Sequence, residues 1–151
     1  MDNLSEKLIP LIATGEVKQY NPICVYGKQY QVDRFSETVQ SASLKEDPSL
    51  RICVLSGELF TKQLMLSLRG DYTETFRNRI RMADMLIFTD VDLIQGKTST
   101  MWEFFSLFDY YYEQGKRIIV GSSVPYSDLF AMEDRVMAQL QGGLIVELKD
   151  E

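Results

Sequence analysis

The sequence predicts an α/β fold, a five-stranded parallel sheet with helices on both faces. Three observations predict it. Short runs at 23–26, 51–56, 85–88, 117–120 and 144–148 have the length of strands. They are mostly continuous in apolar character rather than alternating, as expected for strands covered on both sides. Segments with helical spacing of apolar residues separate them, the order that links parallel strands through crossovers. At 151 residues, one domain is expected over 1–151, with 1–20 as an N-terminal helix and lead-in and 21–149 as the core.

The elements follow in order. Leu4 to Ile12 has the pattern of a short amphipathic helix, broken at Thr14-Gly15. Asn21-Pro22 opens the first strand, Ile23 to Tyr26, which ends at Gly27. A helix is expected from about Asp33 to Leu44, then a turn at Asp47-Pro48-Ser49 and a strand from Arg51 to Ser56. The next helix starts at Ser56 or Gly57, carries Phe60, Leu64 and Leu68 on one face, and stops at Gly70. Tyr72 to Met82 is a further helix. Met85 to Phe88 is an apolar strand running into Thr89-Asp90-Val91-Asp92. A long helix follows, from Thr98 or Ser99 to about Gln114, with Gly115 as its stop. A strand from Arg117, a helix from Ala131 to Leu140, a break at Gly142-Gly143 and a last strand complete the chain.

Composition narrows the function. The hydrophobic fraction is 45% and the charged fraction 25%, ordinary for a soluble globular chain. The net charge of −6 argues against an extended phosphate-tracking surface. No apolar run approaches membrane-span length, and the first seven residues carry acid where a secretory signal would be basic, so a cytoplasmic protein is expected. Cys24 and Cys53 lie in separate strands and are expected to be buried, reduced thiols. The absence of histidine excludes Ser-His-acid and Cys-His nucleophiles and every His-containing metal site.

Candidate sites gather at strand ends. Residues 27–34 stand where a phosphate loop belongs. Such a loop is Gly-x-x-x-x-Gly-Lys-Ser/Thr: glycines bring N–H groups to phosphate, lysine neutralises it and the hydroxyl holds magnesium. Here Gly27 survives, Lys28 comes too early, Asp33 takes the lysine position and Arg34 the hydroxyl position. A close charge pair near a surface is worth roughly 4 kcal/mol, so this reversal is a large change. Asp90 and Asp92 end a strand at the edge where parallel sheets bind ligands, and read either as magnesium-holding acids or as a solvated terminus.

On the long helix, Met101, Phe104, Phe105, Phe108, Tyr111 and Tyr112 read as a sheet-packing face or a base-stacking surface, with Trp102 and Tyr110 off that stripe as partner-facing candidates. Arg69, Arg77, Arg79 and Arg81 with Lys62 read as contacts to single-stranded DNA or an acidic partner, or as a solvated face paired with Glu74, Asp71 and Asp84. Glu133-Asp134-Arg135 reads as a helix cap or a binding element.

From Asn21 to about Lys149 the chain resembles the AAA+ ATPase core of the bacterial DnaA replication-initiator family. The resemblance rests on collinear segments. Asn21 to Gly27 is similar to the strand before the P-loop, and Gly57-Glu58-Leu59-Phe60 to a Ser-Glu-x-Phe helix start. Residues 83–92 resemble the Walker B strand, 103–108 a Glu-Phe-Phe-x-x-Phe helix, 118–125 the sensor 1 strand, and 132–135 with 142–144 the Glu-Asp-Arg box and its sequel. This implies a three-layer P-loop NTPase fold.

The departures bear on activity. The first Walker B acid is replaced by Thr89, leaving Asp90; sensor 1 reads Ser122-Ser123; and Gln139 aligns with the arginine that would act on a neighbour's nucleotide. The family's lid and helix-turn-helix are expected to have no counterpart in these residues. Phosphoryl transfer needs lysine, metal and arginine together. The expectation is therefore no enzyme activity, no catalytic residue, no cofactor and no metal.

The expected role is a regulator or adaptor of replication initiation acting through protein contacts, with the initiator or another AAA+ replication protein as partner. Because AAA+ domains assemble head to tail, such a chain could end a filament. Arg69, Arg77, Arg81, Trp102 and Arg135 are the candidate partner or single-stranded-DNA contacts. The alternatives are a single-stranded-DNA-binding accessory protein, an unorthodox nucleotide-binding ATPase around Lys28, Arg34 and Asp90, and a self-associating structural protein.

Overall fold

A computed structural model describes residues 3–16 and 20–150. Its elements are α1 (Asn3–Thr14), β1 (Ile23–Tyr26), α2 (Gln29–Glu46), β2 (Ile52–Ser56), α3 (Gly57–Gly70), α4 (Thr73–Arg81), β3 (Met85–Thr89), α5 (Thr98–Glu113), β4 (Arg117–Ser122), α6 (Asp134–Gln141) and β5 (Leu144–Glu147). Short 3-10 turns lie at Val91–Ile94 and Tyr126–Asp128. The sheet order is β2-β3-β4-β1-β5, with every pair parallel. This order and these layers are those of an AAA+ P-loop NTPase domain.

The alternation of strand side chains divides the core in two. Leu86, Phe88, Ile118, Val120 and Cys24 pack toward α3, α4, α5 and α6, around Phe60, Leu64, Phe104 and Phe108. Met85, Ile87, Ile119, Ile23 and Val25 pack toward α1 and α2, around Ile12, Val32, Phe35 and Val39. At one end of the sheet Asn21 extends the β1–β4 ladder: its side chain donates to Lys116 O (2.9 Å) and accepts from Ile118 N (2.9 Å). Arg117 crosses to the end of α1, its Nη1 donating to Ile12 O and Ala13 O, each at 2.9 Å. A cation at a helix C-terminus satisfies exposed carbonyls and opposes the helix dipole.

Several elements differ from the sequence expectation. Helix α2 starts at Gln29, not near Asp33, because residues 29–32 contain no glycine or proline and continue the helical pattern through Val32. Helix α6 starts at Asp134 rather than Ala131, since Glu133 caps it, accepting from Arg135 N (3.1 Å) and Val136 N (3.3 Å). On α3 the buried stripe is Gly57, Phe60, Leu64 and Ser67, so Leu68 rotates out to solvent. On α5 the stripe ends on Tyr111, and Tyr112 turns outward for the same reason. Both cysteines are free thiols; Cys24 donates to Leu140 O, and burial pushes its pKa up to about 12, which leaves it inert as a nucleophile.

Candidate functional site

The crevice at the C-terminal ends of β1, β3 and β4 is where such sheets bind ligands. Only Gly27 and Lys28 separate β1 from α2. Asp33 and Arg34, expected at the start of a helix, instead sit in the second turn of α2, both exposed. The N–H groups of the turn are used within the protein. Gly27 N donates to Ser122 O (3.1 Å), Lys28 N to Gln31 Oε1 (2.8 Å), and Gln31 N to Lys28 O (2.9 Å).

The space beside Gly27 is filled. A Cβ at Gly27 would stand 2.7 Å from Gln31 Oε1 and 3.2 Å from Leu148 Cβ. Leu148 is fixed there by its own N–H, which donates to Tyr26 O at 2.8 Å, and Tyr30 bonds to Asp150 just beyond. Gln31 is the residue that sequence reasoning missed. Its spacing, three positions after the helix cap, is the signal that could have revealed it.

Facing this turn, Asp90 holds a left-handed backbone (φ 53°), and its carbonyl lies against Gly57, where a Cβ would come within 2.3 Å. The Asp90 carboxyl is held above the usual carboxylate range, chiefly by burial. A hydrogen bond from Gln29 pulls the other way, while the negative charges of Asp92, Asp33 and Glu58 add to the upward shift. Asp92 is engaged by the neighbouring strand. It accepts from Ser123 N (3.2 Å) and Ser123 Oγ (3.0 Å), with Ser122 Oγ at 3.3 Å, tying the end of β3 to the end of β4. Lys28 and Arg34 form no ion pair among the described residues. Among those residues no three His, Cys, Asp or Glu side chains converge as a metal-ligand set.

Asp90 yields a prediction whose sign can be worked out. A carboxyl with a raised folded-state pKa binds its proton more tightly when folded, so its ionisation destabilises the fold as pH rises through that range. Asp90→Asn removes this cost, and Asn tolerates the left-handed backbone. The variant is expected to be more stable at pH 7 by about 0.5 kcal/mol after allowance for solvent screening. The advantage should vanish below pH 4; urea midpoints at the two pH values check both parts.

The candidate partner contacts lie elsewhere and do not form one patch. Arg77 is held by Glu103 through two 2.8 Å hydrogen bonds and by Glu74 at 3.0 Å, and these acids hold its pKa above the usual arginine value. Arg81 lies over the Tyr110 ring (5.1 Å), which Lys116 also faces (5.3 Å). Tyr110 is therefore half-buried under cations. Asp84 pairs with Arg51, not with the arginines of α4. Arg69 is exposed at the end of α3. Trp102 and Arg135 come together, the guanidinium 3.9 Å from the indole centroid while Nε donates to Glu133 (3.0 Å). Gln139 turns inward, its Nε2 donating to Phe105 O at 3.0 Å.

Comparison with known proteins places this geometry. The family described as the bacterial DnaA ATPase domain matches residues 3–147. The chromosomal replication initiator protein DnaA of Thermomicrobium roseum is 32% identical over 139 residues, 91% of this chain and 30% of that protein. The DnaA of Deinococcus radiodurans is 33% identical over 149 residues, 98% of this chain and 32% of that protein. The chain thus spans about a third of the length of these curated relatives.

A solved structure of replication initiator DnaA bound to AMPPCP and single-stranded DNA superposes with a TM-score of 0.88 at 26% identity, covering 99% of this chain and 46% of that one. Domain III of Thermotoga maritima DnaA shares the fold with a TM-score of 0.90 at 24% identity, covering 97% and 61%. The chain belongs to the bacterial DnaA ATPase domain family.

Proposed function

We propose that this chain is a non-catalytic member of the DnaA family that regulates or adapts replication initiation through protein contacts, in the cytoplasm. The observation that carries this reading is the two-residue turn between β1 and α2, whose N–H groups bond within the protein and whose free volume is taken by Gln31 and Leu148. A triphosphate needs several free N–H donors, a lysine and a metal at this place. The carboxylates of Asp33, Glu58, Asp90 and Asp92 would oppose it. Loss of fuel chemistry with retention of the layered core leaves surface recognition as the function, and the initiator or another AAA+ replication protein is the partner by kinship.

Calorimetric titration with magnesium and ATP is expected to give no binding tighter than about 1 mM, roughly −4 kcal/mol. Capture of purified initiator by the immobilised chain is expected at micromolar concentration. Binding of ATP below about 100 μM, or steady phosphate release, would overturn the non-catalytic reading. Failure to retain the initiator would remove the partner assignment alone.

Exposed Arg69 and Arg79 support a second reading, a contact with single-stranded DNA, the ligand in one solved relative. It requires oligonucleotide affinity that falls steeply with salt. The net charge of −6 and the internal use of Arg77 and Arg81 weigh against it.

A further inference from the structure

We propose that Phe130 is the anchor by which this chain docks on its protein partner, its ring entering an apolar pocket rimmed by Lys and Arg side chains. The chain has eight phenylalanines. Seven lie in the two core clusters or pack against them, and Phe130 belongs to neither. It is 86% exposed, against 61% for Met82, the next most exposed large hydrophobic side chain among the described residues. A bare aromatic ring gains more than any smaller side chain from filling a pocket.

The backbone on either side of the ring is already fixed. Leu129 and Met132 are buried in the core. Asp128 N donates to Pro125 O (2.8 Å) and Leu129 N to Tyr126 O (3.3 Å). From the other side, Ala131 N donates to Gln95 Oε1 (3.1 Å), and Gly96 N donates to Ala131 O (3.0 Å). The ring is thus presented from a loop whose ordering cost was met on folding. That is the condition in which a single aromatic anchor contributes most to affinity.

The surrounding charges select the occupant. Residues 121–134 carry Asp128, Glu133 and Asp134 and no Lys or Arg. Residues 91–96, tied to this loop through Gln95 and Gly96, add Asp92 and again no cation. Asp128 and Asp134 form no ion pair among the described residues. Negative charge without a local cation opposes phosphate, which sets aside nucleic acid and anionic membranes. A second copy would bring its own net charge of −6 to the contact. A protein surface with an apolar pocket and cations at its rim suits the ring and the acids together.

This inference rests on the reading that the initiator is the partner, and it locates the contact on this chain. The test is the affinity of purified initiator for the immobilised chain and its variants, at low and at high salt. Phe130→Ala is expected to weaken binding at least about tenfold, and Phe130→Trp, which keeps an aromatic anchor, to weaken it less. Asp128→Lys is expected to weaken it about threefold and to flatten its salt dependence. Thermal melts of the Phe130 variants are expected to match the parent, because the ring supports nothing in the fold.

Initiator held equally by the parent and by Phe130→Ala would overturn this proposal and leave the partner reading standing. No binding by the parent would remove both. Loss in Phe130→Ala with no response to Asp128→Lys would overturn the cationic rim. Self-association, or binding of an oligonucleotide or an anionic vesicle, that disappears in Phe130→Ala would give the ring another occupant and overturn the proposal as well.

Discussion

Gly143→Ala is expected to cost this protein about 3 kcal/mol or more and to release β5 from the sheet. A Cβ at Gly143 would stand 1.9 Å from Pro22 O, 2.7 Å from Pro22 N and 2.8 Å from Pro22 Cδ. All three are backbone or ring atoms, so no side-chain rotation relieves the clash. Leu144 N donates to the same Pro22 carbonyl at 3.0 Å, so any shift also breaks the first hydrogen bond that docks β5 on β1. Val146 and Leu148 lose their burial if the strand lifts. The consequence reaches the site, because Leu148 is part of what fills the space beside Gly27. Urea unfolding of the variant should show the lower midpoint, and hydrogen exchange should show β5 amides exchanging ahead of β3 amides. A loss below about 1 kcal/mol, the scale of an ordinary substitution, would mean that the β5 junction yields easily.

How far the sequence reached depended on the range of each interaction. The strands were legible because Met85-Leu86-Ile87-Phe88 and Ile118-Ile119-Val120 are apolar on both faces, and that pattern needs no tertiary knowledge. The helices were legible where the stripe was regular. Leu68 and Tyr112 were misplaced because each lies one residue beyond its stripe, where a single rotation of about 100° separates core from solvent. In the site, Asp33 and Arg34 were legible by residue type, but not their place in the second turn of α2. That place depends on Gln31 bonding back to Lys28 and on Leu148, more than a hundred residues away, occupying the space a loop would need. Asp90 and Asp92 were read together because both follow the apolar run that became β3. The serines that engage Asp92 come from β4 and its loop, a contact no local pattern announces.

Arg77→Met is expected to destabilise the fold by about 3 kcal/mol while leaving any affinity for single-stranded oligonucleotides unchanged. Helix α4 is short and polar, anchored by buried Phe76 and Ile80. Between these anchors the Arg77 fork meets both oxygens of Glu103 on α5, an acid whose side chain is only 12% exposed. Removing the arginine leaves that carboxylate without its cation in a poorly solvated place, which costs more than the pair contributes.

Glu103→Gln is expected to cost less, about 1–2 kcal/mol, because Arg77 is 35% exposed and keeps Glu74. The double variant Arg77→Met with Glu103→Gln is expected to recover at least about 1 kcal/mol relative to the sum of the singles, the signature of a coupled pair. Chemical denaturation of the four proteins measures the cycle, and fluorescence anisotropy with a labelled oligonucleotide at two salt concentrations measures the other reading. A phosphate contact by Arg77 predicts the reverse pattern, with little loss of stability and a salt slope reduced by about one charge.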